Sequence, residues 1–370
     1  MSTANLDAVD LAAVPVGGTI HEDVMDQIFN VSPVDRPFCD AIGAGSSDNF
    51  LKEWVREALE AADKDNAIVD GADAGADDSV TGERLQNYHQ NGEKVVKVSD
   101  RGRNVNSIGS SDELARQLMN RQKALRRDEE AALTSRNVAV AGDGNTIAGK
   151  CAGVGGWIGV KVNDVPSTTS HRGVTGADPV LSNDGSGGGG YPTTAATEGT
   201  KEALSETNIK NMMQAAYLQG GNPSIAMSIP AVIEVLSDYL FTSSARVATL
   251  QSNAPQGNRT DNSSGGGQSG GGITAQGSVN ILVTNFGTLE LVPNRFQPAA
   301  HAADSTVGDL YLIDPDTWER SYLQGYETKE LARTGSAENR QITVDYTLCA
   351  LNPEANAVVA DIDSALPATA

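Results

Sequence analysis

Aromatic residues make up only 5% of this 370-residue chain, and cysteine occurs three times. So few aromatics exclude a broad aromatic binding face. Cys39, Cys151 and Cys349 are scattered, with no CxxC and no closely spaced even set, which excludes a disulfide scaffold and a zinc site. No apolar run approaches the ~18 residues that a membrane helix needs. The opening residues lack the basic stretch and apolar run of a secretory leader. The chain is therefore expected to be made and kept reduced in a cytoplasm, and Asn-x-Ser/Thr triplets at Asn30, Asn258 and Asn262 are chance matches. Basic residues are in deficit, 27 Lys and Arg against 48 Asp and Glu, for a formal net charge of −21. Such a chain repels polyanions, which argues against a sequence-reading nucleic-acid binder. Glycine is plentiful, at 39 residues, and the 39% hydrophobic share is slightly low, so part of the length lies outside any core.

Enzymatic chemistry finds little support. Gly144-Asn-Thr-Ile-Ala-Gly149-Lys150-Cys151 nearly matches a P-loop, but the hydroxyl that should follow the lysine is replaced by Cys151. A long helical pattern, not a strand, precedes it, so a turn leaving that helix is the better reading. Gly267-Gln-Ser269-Gly-Gly271 matches a nucleophile elbow inside a Ser/Gly run, without the strand and helix that the elbow requires. His21, His89, His171 and His301 show no metal-ligand spacing, and each reads as a surface residue or a single hydrogen-bond donor. The acidic residues Asp63, Asp65, Asp70 and Asp73 do not follow the calcium-loop spacing. No catalytic residue, cofactor site or metal site is expected.

The organisation is informative. Residues 1–50 read as an arm, with a short helix over 21–30 and a break at Ser32-Pro-Val-Asp-Arg-Pro-Phe. Residues 51–105 pair two extended segments around a long acidic, Ala/Gly/Asp-rich excursion, Ala61–Asp78. Its low apolar content cannot make a core, so it is expected to gain partners from a neighbouring chain. The strongest helix is predicted over 111–139. Ser111 and Asp112 stand at its start, and Leu114, Leu118, Leu125 and Ala132 form its stripe. At 1.5 Å per residue it would be roughly 40 Å long. Residues 165–200 and 251–272 are Gly/Ser-rich loops. Helices are predicted over 205–220 and 231–241, and strands over 224–229, 279–285, 287–293, 310–314 and 342–351. Glu354 onward reads as a weak tail. The pattern is α+β, without the βαβ alternation of a doubly wound sheet.

Seven segments in order carry a resemblance. They are Val34-Asp-Arg-Pro-Phe-Cys-Asp-Ala-Ile-Gly; Glu53-Trp-Val with Asn66-Ala-Ile-Val-Asp-Gly-Ala-Asp; Arg84-Leu-Gln-Asn-Tyr; Glu113-Leu-Ala-Arg-Gln-Leu with Leu125-Arg-Arg-Asp-Glu-Glu-Ala-Ala-Leu; Leu312-Ile-Asp-Pro-Asp-Thr-Trp; Leu331-Ala-Arg-Thr-Gly; and Leu351-Asn-Pro-Glu-Ala-Asn-Ala. Through them the chain resembles the SU-ten-like family of tailed-phage major capsid proteins, with the Hong Kong 97-like fold. Arg36 stands where that pattern usually has threonine before Pro-Phe.

The resemblance implies an N-terminal arm (1–50), an extended loop (51–105) and a peripheral domain (106–204) with a spine helix over 111–139. It further implies an axial domain over 205–325 and a C-terminal return to the peripheral domain over 326–370. Copies would form pentamers and hexamers of an icosahedral shell enclosing double-stranded DNA without reading its sequence. The shell would be assembled in a host cytoplasm, without a membrane, and scaffolding, portal and decoration proteins would be its other partners. The basic helix is expected to pair with acidic loops of neighbouring copies, and Lys52, Trp54, Arg56, Arg84, Arg116, Arg126 and Arg127 are the candidate inter-subunit contacts. A tail or decoration subunit is the alternative, disfavoured by the long helix.

Overall fold

A computed structural model describes residues 27–57, 59, 62–71, 73, 75, 82–105, 112–160, 168–182, 190–242, 281–333 and 335–369. The elements divide between two units. One comprises Met1–Pro33, Lys94–Lys123 and Thr328–Ile342, and the other Val34–Glu93, Ala124–Glu327 and Thr343–Ala370.

The larger unit is built on a six-stranded sheet. Its strands are β5 (Ser170–His171), β8 (Ile225–Ser228), β9 (Ile281–Thr284), β10 (Gly287–Pro293), β11 (Val307–Ile313) and β14 (Ala357–Asp363). Their order is β5-β14-β11-β8-β10-β9, with β8 and β10 parallel and β11 antiparallel to both neighbours. Every residue of β11 is buried, as are Ala357–Ile362 of β14. Strands covered on both faces carry no polar alternation. That is why Glu354 onward reads as a tail in sequence yet supplies a core strand here. Helices α4 (Glu206–Leu218) and α5 (Pro230–Thr242) lay Ile209, Met213, Val232 and Leu236 against Leu310, Leu312 and Val359.

A four-stranded sheet has the order β1-β12-β13-β4, formed by β1 (Gly43–Ser46), β12 (Trp318–Leu331), β13 (Ala337–Ala350) and β4 (Gln90–Ser99). A hairpin pairs β2 (Leu51–Arg56) with β3 (Glu83–Tyr88), holding Trp54 opposite Leu85. The short helix α1 (Pro37–Ala41) follows the arm, with Phe38 and Cys39 buried. The 21–30 helix is not formed over Gln27–Asn30, and residues 21–26 lie outside the described residues.

The long helix α3 runs Glu113–Leu133, with the short α2 (Asp100–Asn104) before it. Asp112 caps α3, its carboxylate accepting from the Leu114 amide at 3.0 Å. Ser111 lies outside the described residues. The helix stops six residues before the predicted 139. There Thr134 Oγ1 donates to the Glu130 carbonyl and Ser135 Oγ to the Ala132 carbonyl, competing with the helical ladder. Residues 168–182 and 190–200, expected to be surface loop, contribute β5, β6 (Val180–Leu181) and β7 (Pro192–Thr194) instead. β5 pairs with β14, and Arg172 is buried against Asp178 at 2.7 Å.

The turn after α3 is sealed by backbone packing. A Cβ on Gly153 would stand 2.5 Å from the Ser135 carbonyl oxygen and 2.8 Å from that of Ala132. Gly153→Ala is therefore expected to destabilise the fold by about 2 kcal/mol, read as a lower denaturant midpoint at unchanged m-value.

Candidate functional site

The seven expected contact residues all have partners within the chain. On β2, Lys52 Nζ donates to the Ser46 carbonyl at 2.8 Å. Trp54 Nε1 donates to the Ala350 carbonyl at 2.9 Å, and its ring lies 5.6 Å from that of Trp157. Arg56 pairs with Glu83 at 2.8 Å and Glu354 at 3.3 Å. Arg84 is the most open, 64% exposed, with Glu53 at 3.7 Å. On α3, Arg116 pairs with Glu113 one turn earlier. Arg126 stacks over Tyr326 at 5.4 Å, and Arg127 over Phe296 at 4.8 Å. The hairpin register sets Lys52, Trp54 and Arg56 on one face and Arg84, opposite Val55, on the other. The α3 residues face three different surroundings.

Sequence reading did not single out the two adjacent glutamates of the Leu125–Leu133 segment. Glu129 and Glu130 have no exposed surface. Glu130 accepts the amides of Phe38 and Cys39, each at 2.9 Å, and Asn294 Nδ2 at 2.8 Å. Glu129 accepts the hydroxyls of Tyr322, at 2.6 Å, and Tyr326, and lies 3.5 Å from Arg36 and 3.7 Å from Arg320. Buried carboxylates are tolerated only when so satisfied. The pair thereby fastens α1, the 294 turn and β12 to one helix. Arg36, the departure from the family pattern, bridges Glu129 and Asp40. The overlooked signal was the Glu-Glu dipeptide on the apolar side of a helix, beside the Asp-Arg-Pro-Phe segment.

A second buried cluster follows the helix. Arg136 forms a two-pronged pair with Asp309 at 2.7 and 2.6 Å and reaches Asp361 at 2.9 Å. Asp309 and Asp361 mark a bulge in the β11–β14 ladder, where Asp361 takes a φ of +58°. Burial opposes the charge of Arg136, but the two carboxylates outweigh it and raise its pKa, while Arg136 holds Asp309 below the usual carboxylate range against the same burial.

The near-P-loop binds its own carboxylate. Asp143 accepts from the amides of Asn145, Thr146 and Ile147 at 2.8, 2.7 and 2.7 Å, the groups that a phosphate would require. The Gly267–Gly271 match lies outside the described residues, as does His21. His89 is buried rather than on the surface, with its ring Nδ1 3.3 Å from Asp345 of β13. His171 faces Glu202 at 3.0 Å and His301 faces Asp361 at 3.2 Å. Cys39, Cys151 and Cys349 are buried free thiols, and burial pushes Cys151 up to about 12. Among the described residues no three His, Cys, Asp or Glu side chains are placed to share a metal ion, and no helix is long and apolar enough to cross a membrane.

The architecture is that of solved capsids. Over nearly their full lengths the chain is similar to a structure from Mycobacterium phage Bobi (9% identity, 97% of this chain and 99% of that one, TM-score 0.54). It is likewise similar to the capsid of a native GTA particle (10%, 95% and 99%, 0.54) and to a Microbacterium phage Oxtober96 structure (15%, 97% and 100%, 0.52). This defines the class, an α+β protein of the Hong Kong 97-like capsid fold. In sequence, the chain is 25% identical over 362 residues to the major capsid protein of Escherichia phage Phieco32, covering 89% of this chain and 90% of that protein. The family model of the SU10 major capsid protein matches residues 3–363. The chain belongs to that family, and with it to the structural subunits of tailed-phage capsids.

Two measurements probe the glutamate pair. Glu130→Leu strands three buried donors and is expected to cost about 3–5 kcal/mol, read by denaturant unfolding of the soluble chain. Burial together with the Glu129 carboxylate pushes the phenols of Tyr322 and Tyr326 above their ordinary range. Their folded pKa values exceed the unfolded value of about 10, so their contribution is intact below that pH and is lost as pH rises above it. A Tyr322→Phe/Tyr326→Phe variant should start less stable at pH 8, yet lose melting temperature less steeply above about pH 10.

Proposed function

We infer that copies of this chain assemble through pentamers and hexamers into an icosahedral shell around double-stranded DNA, in the host cytoplasm. The carrying observation is that long segments leave their apolar side chains in solvent. Ile68 and Val69, in the excursion between β2 and β3, are 72% and 79% exposed, and Val31 of the arm is 92% exposed. Phe29, Phe50 and Val55 are also open. A subunit that completes its burial only against neighbours in a closed symmetric array accounts for this pattern.

In this reading, residues 1–50 are the arm, 51–105 the extended loop, 106–204 and 326–370 the peripheral domain, and 205–325 the axial domain. Arg84, which leads the exposed side of the hairpin, is the candidate contact with most freedom to reach a neighbour. A separate scaffolding protein, a portal and decoration proteins complete the set of protein partners. The role is structural rather than enzymatic, which the amide occupancy of the Asp143 turn supports.

The direct test is expression of the chain alone, followed by size-exclusion chromatography and negative-stain microscopy. Shells, tubes or ring-shaped capsomers are expected. A monomer at every concentration, even with a co-expressed scaffold, would refute the reading. Arg84→Glu should lower shell yield without changing the melting temperature of the unassembled chain.

A further inference from the structure

Aspartate precedes glycine at Asp70-Gly71, Asp143-Gly144 and Asp184-Gly185, and asparagine precedes glycine at Asn91-Gly92. Such pairs are chemically exposed. Glycine has no Cβ, so its backbone nitrogen can turn back onto the side-chain carbonyl carbon of the residue before it. Asp184-Gly185 lies outside the described residues. Asn91-Gly92 is held extended in β4 with Gly92 against Leu125, which fixes the backbone that ring closure would have to rotate.

The two remaining pairs are matched in all but one respect. Asp70, Gly71, Asp143 and Gly144 are all exposed. Gly71 and Gly144 take left-handed φ values of +78° and +73°, and a Cβ at either would meet nothing within 4 Å. The carboxylates differ. That of Asp143 accepts from Thr146 Oγ1 at 2.6 Å and from the amides of Asn145, Thr146 and Ile147. The Thr146 hydroxyl and these amides hold it well below the usual carboxylate range. The carboxylate of Asp70 has no hydrogen-bond or ionic partner among the described residues.

We propose that Asp70 is a site of spontaneous isomerisation to isoaspartate, with water as the only reagent, and that the 143–147 turn protects the same dipeptide at Asp143. The Gly71 nitrogen forms a bond to Cγ of the neutral Asp70 carboxyl. A C–O bond breaks, and the hydroxyl leaves as water with the amide proton. Water then opens the resulting succinimide. Attack at the Cγ carbonyl returns aspartate. Attack at the main-chain carbonyl gives isoaspartate, whose backbone runs through the β-carbon. A carboxyl must carry its proton to lose water in this way. At Asp143 the four donors favour the charged form and keep the side chain on its own turn. Releasing them before reaction slows ring closure at least about ten-fold. The excursion between β2 and β3 thus carries a mark of the chain's age that no enzyme writes. The reaction requires no neighbouring copy, so it stands or falls apart from the capsid reading.

The full-length chain, aged in mildly acidic buffer, carries the test. It is digested with trypsin and mapped by mass spectrometry with electron-transfer fragmentation, which separates isoaspartate from aspartate. Isoaspartate should accumulate at position 70, in peptide 65–84, at least about ten-fold faster than at position 143, in peptide 137–150. In urea, where the turn is lost, the two rates should converge. Thr146→Ala should speed the reaction at position 143 and leave that at position 70 unchanged. Equal rates in the folded chain, or no isoaspartate at position 70, overturn the site. A difference that persists undiminished in urea overturns the protection by the turn.

Discussion

Two carboxylates without solvent hold the larger unit together. A buried ionised glutamate is costly unless its oxygens are filled, and Glu129 and Glu130 are filled from three directions. The amides of Phe38 and Cys39 come from the start of the chain, Asn294 from its middle, and Tyr322 and Tyr326 from β12. Donors up to 197 residues away in sequence thus meet the glutamates on one helical turn. The dependence runs both ways. Removing any donor leaves charge stranded, so the helix and its clients have few alternative arrangements. Arg136 extends the same logic beyond the helix end, where it clamps the Asp309–Asp361 bulge of the six-stranded sheet.

This arrangement suits a shell subunit. A rigid centre made specific by buried polar pairing allows the remaining segments to be shaped for neighbours instead of for self-burial. The hairpin excursion and the arm carry exposed Ile68, Val69, Phe29 and Val31, which would be a liability in a solitary molecule. The charge follows the same division, with acidic residues concentrated between Arg56 and Glu83 and basic ones in Lys94–Lys123 and Thr328–Ile342.

Local patterns carried much of the fold into the sequence. The stripe from Leu114 to Leu125 marked α3, and Gly287–Pro293 was visible as a strand. What stayed hidden was set by long-range contacts. β14 has no alternation because both its faces are covered, and Asp361 within it looks like a loop residue until Arg136 is seen beside it. β12 is 14 residues of largely polar sequence, legible only once β1 and β13 flank it. The end of α3 depended on Thr134 and Ser135 turning their hydroxyls back to carbonyls, while the sequence pattern of a helix runs on past them. The candidate contact residues were recognisable as exposed-type side chains, but their internal partners, Tyr326 and Phe296 among them, come from distant segments. The glutamate pair was in view as part of a family motif without a visible reason for being there.

Hydrogen exchange of the chain before and after assembly tests the central claim most directly, that a rigid centre organised by Glu129 and Glu130 precedes assembly. The amides of Phe38 and Cys39 should be slow to exchange already in the unassembled subunit, together with those of residues 125–134. Residues 65–70 should gain protection only in the shell. Fast exchange at Phe38 and Cys39 in a folded, unassembled subunit would contradict the account.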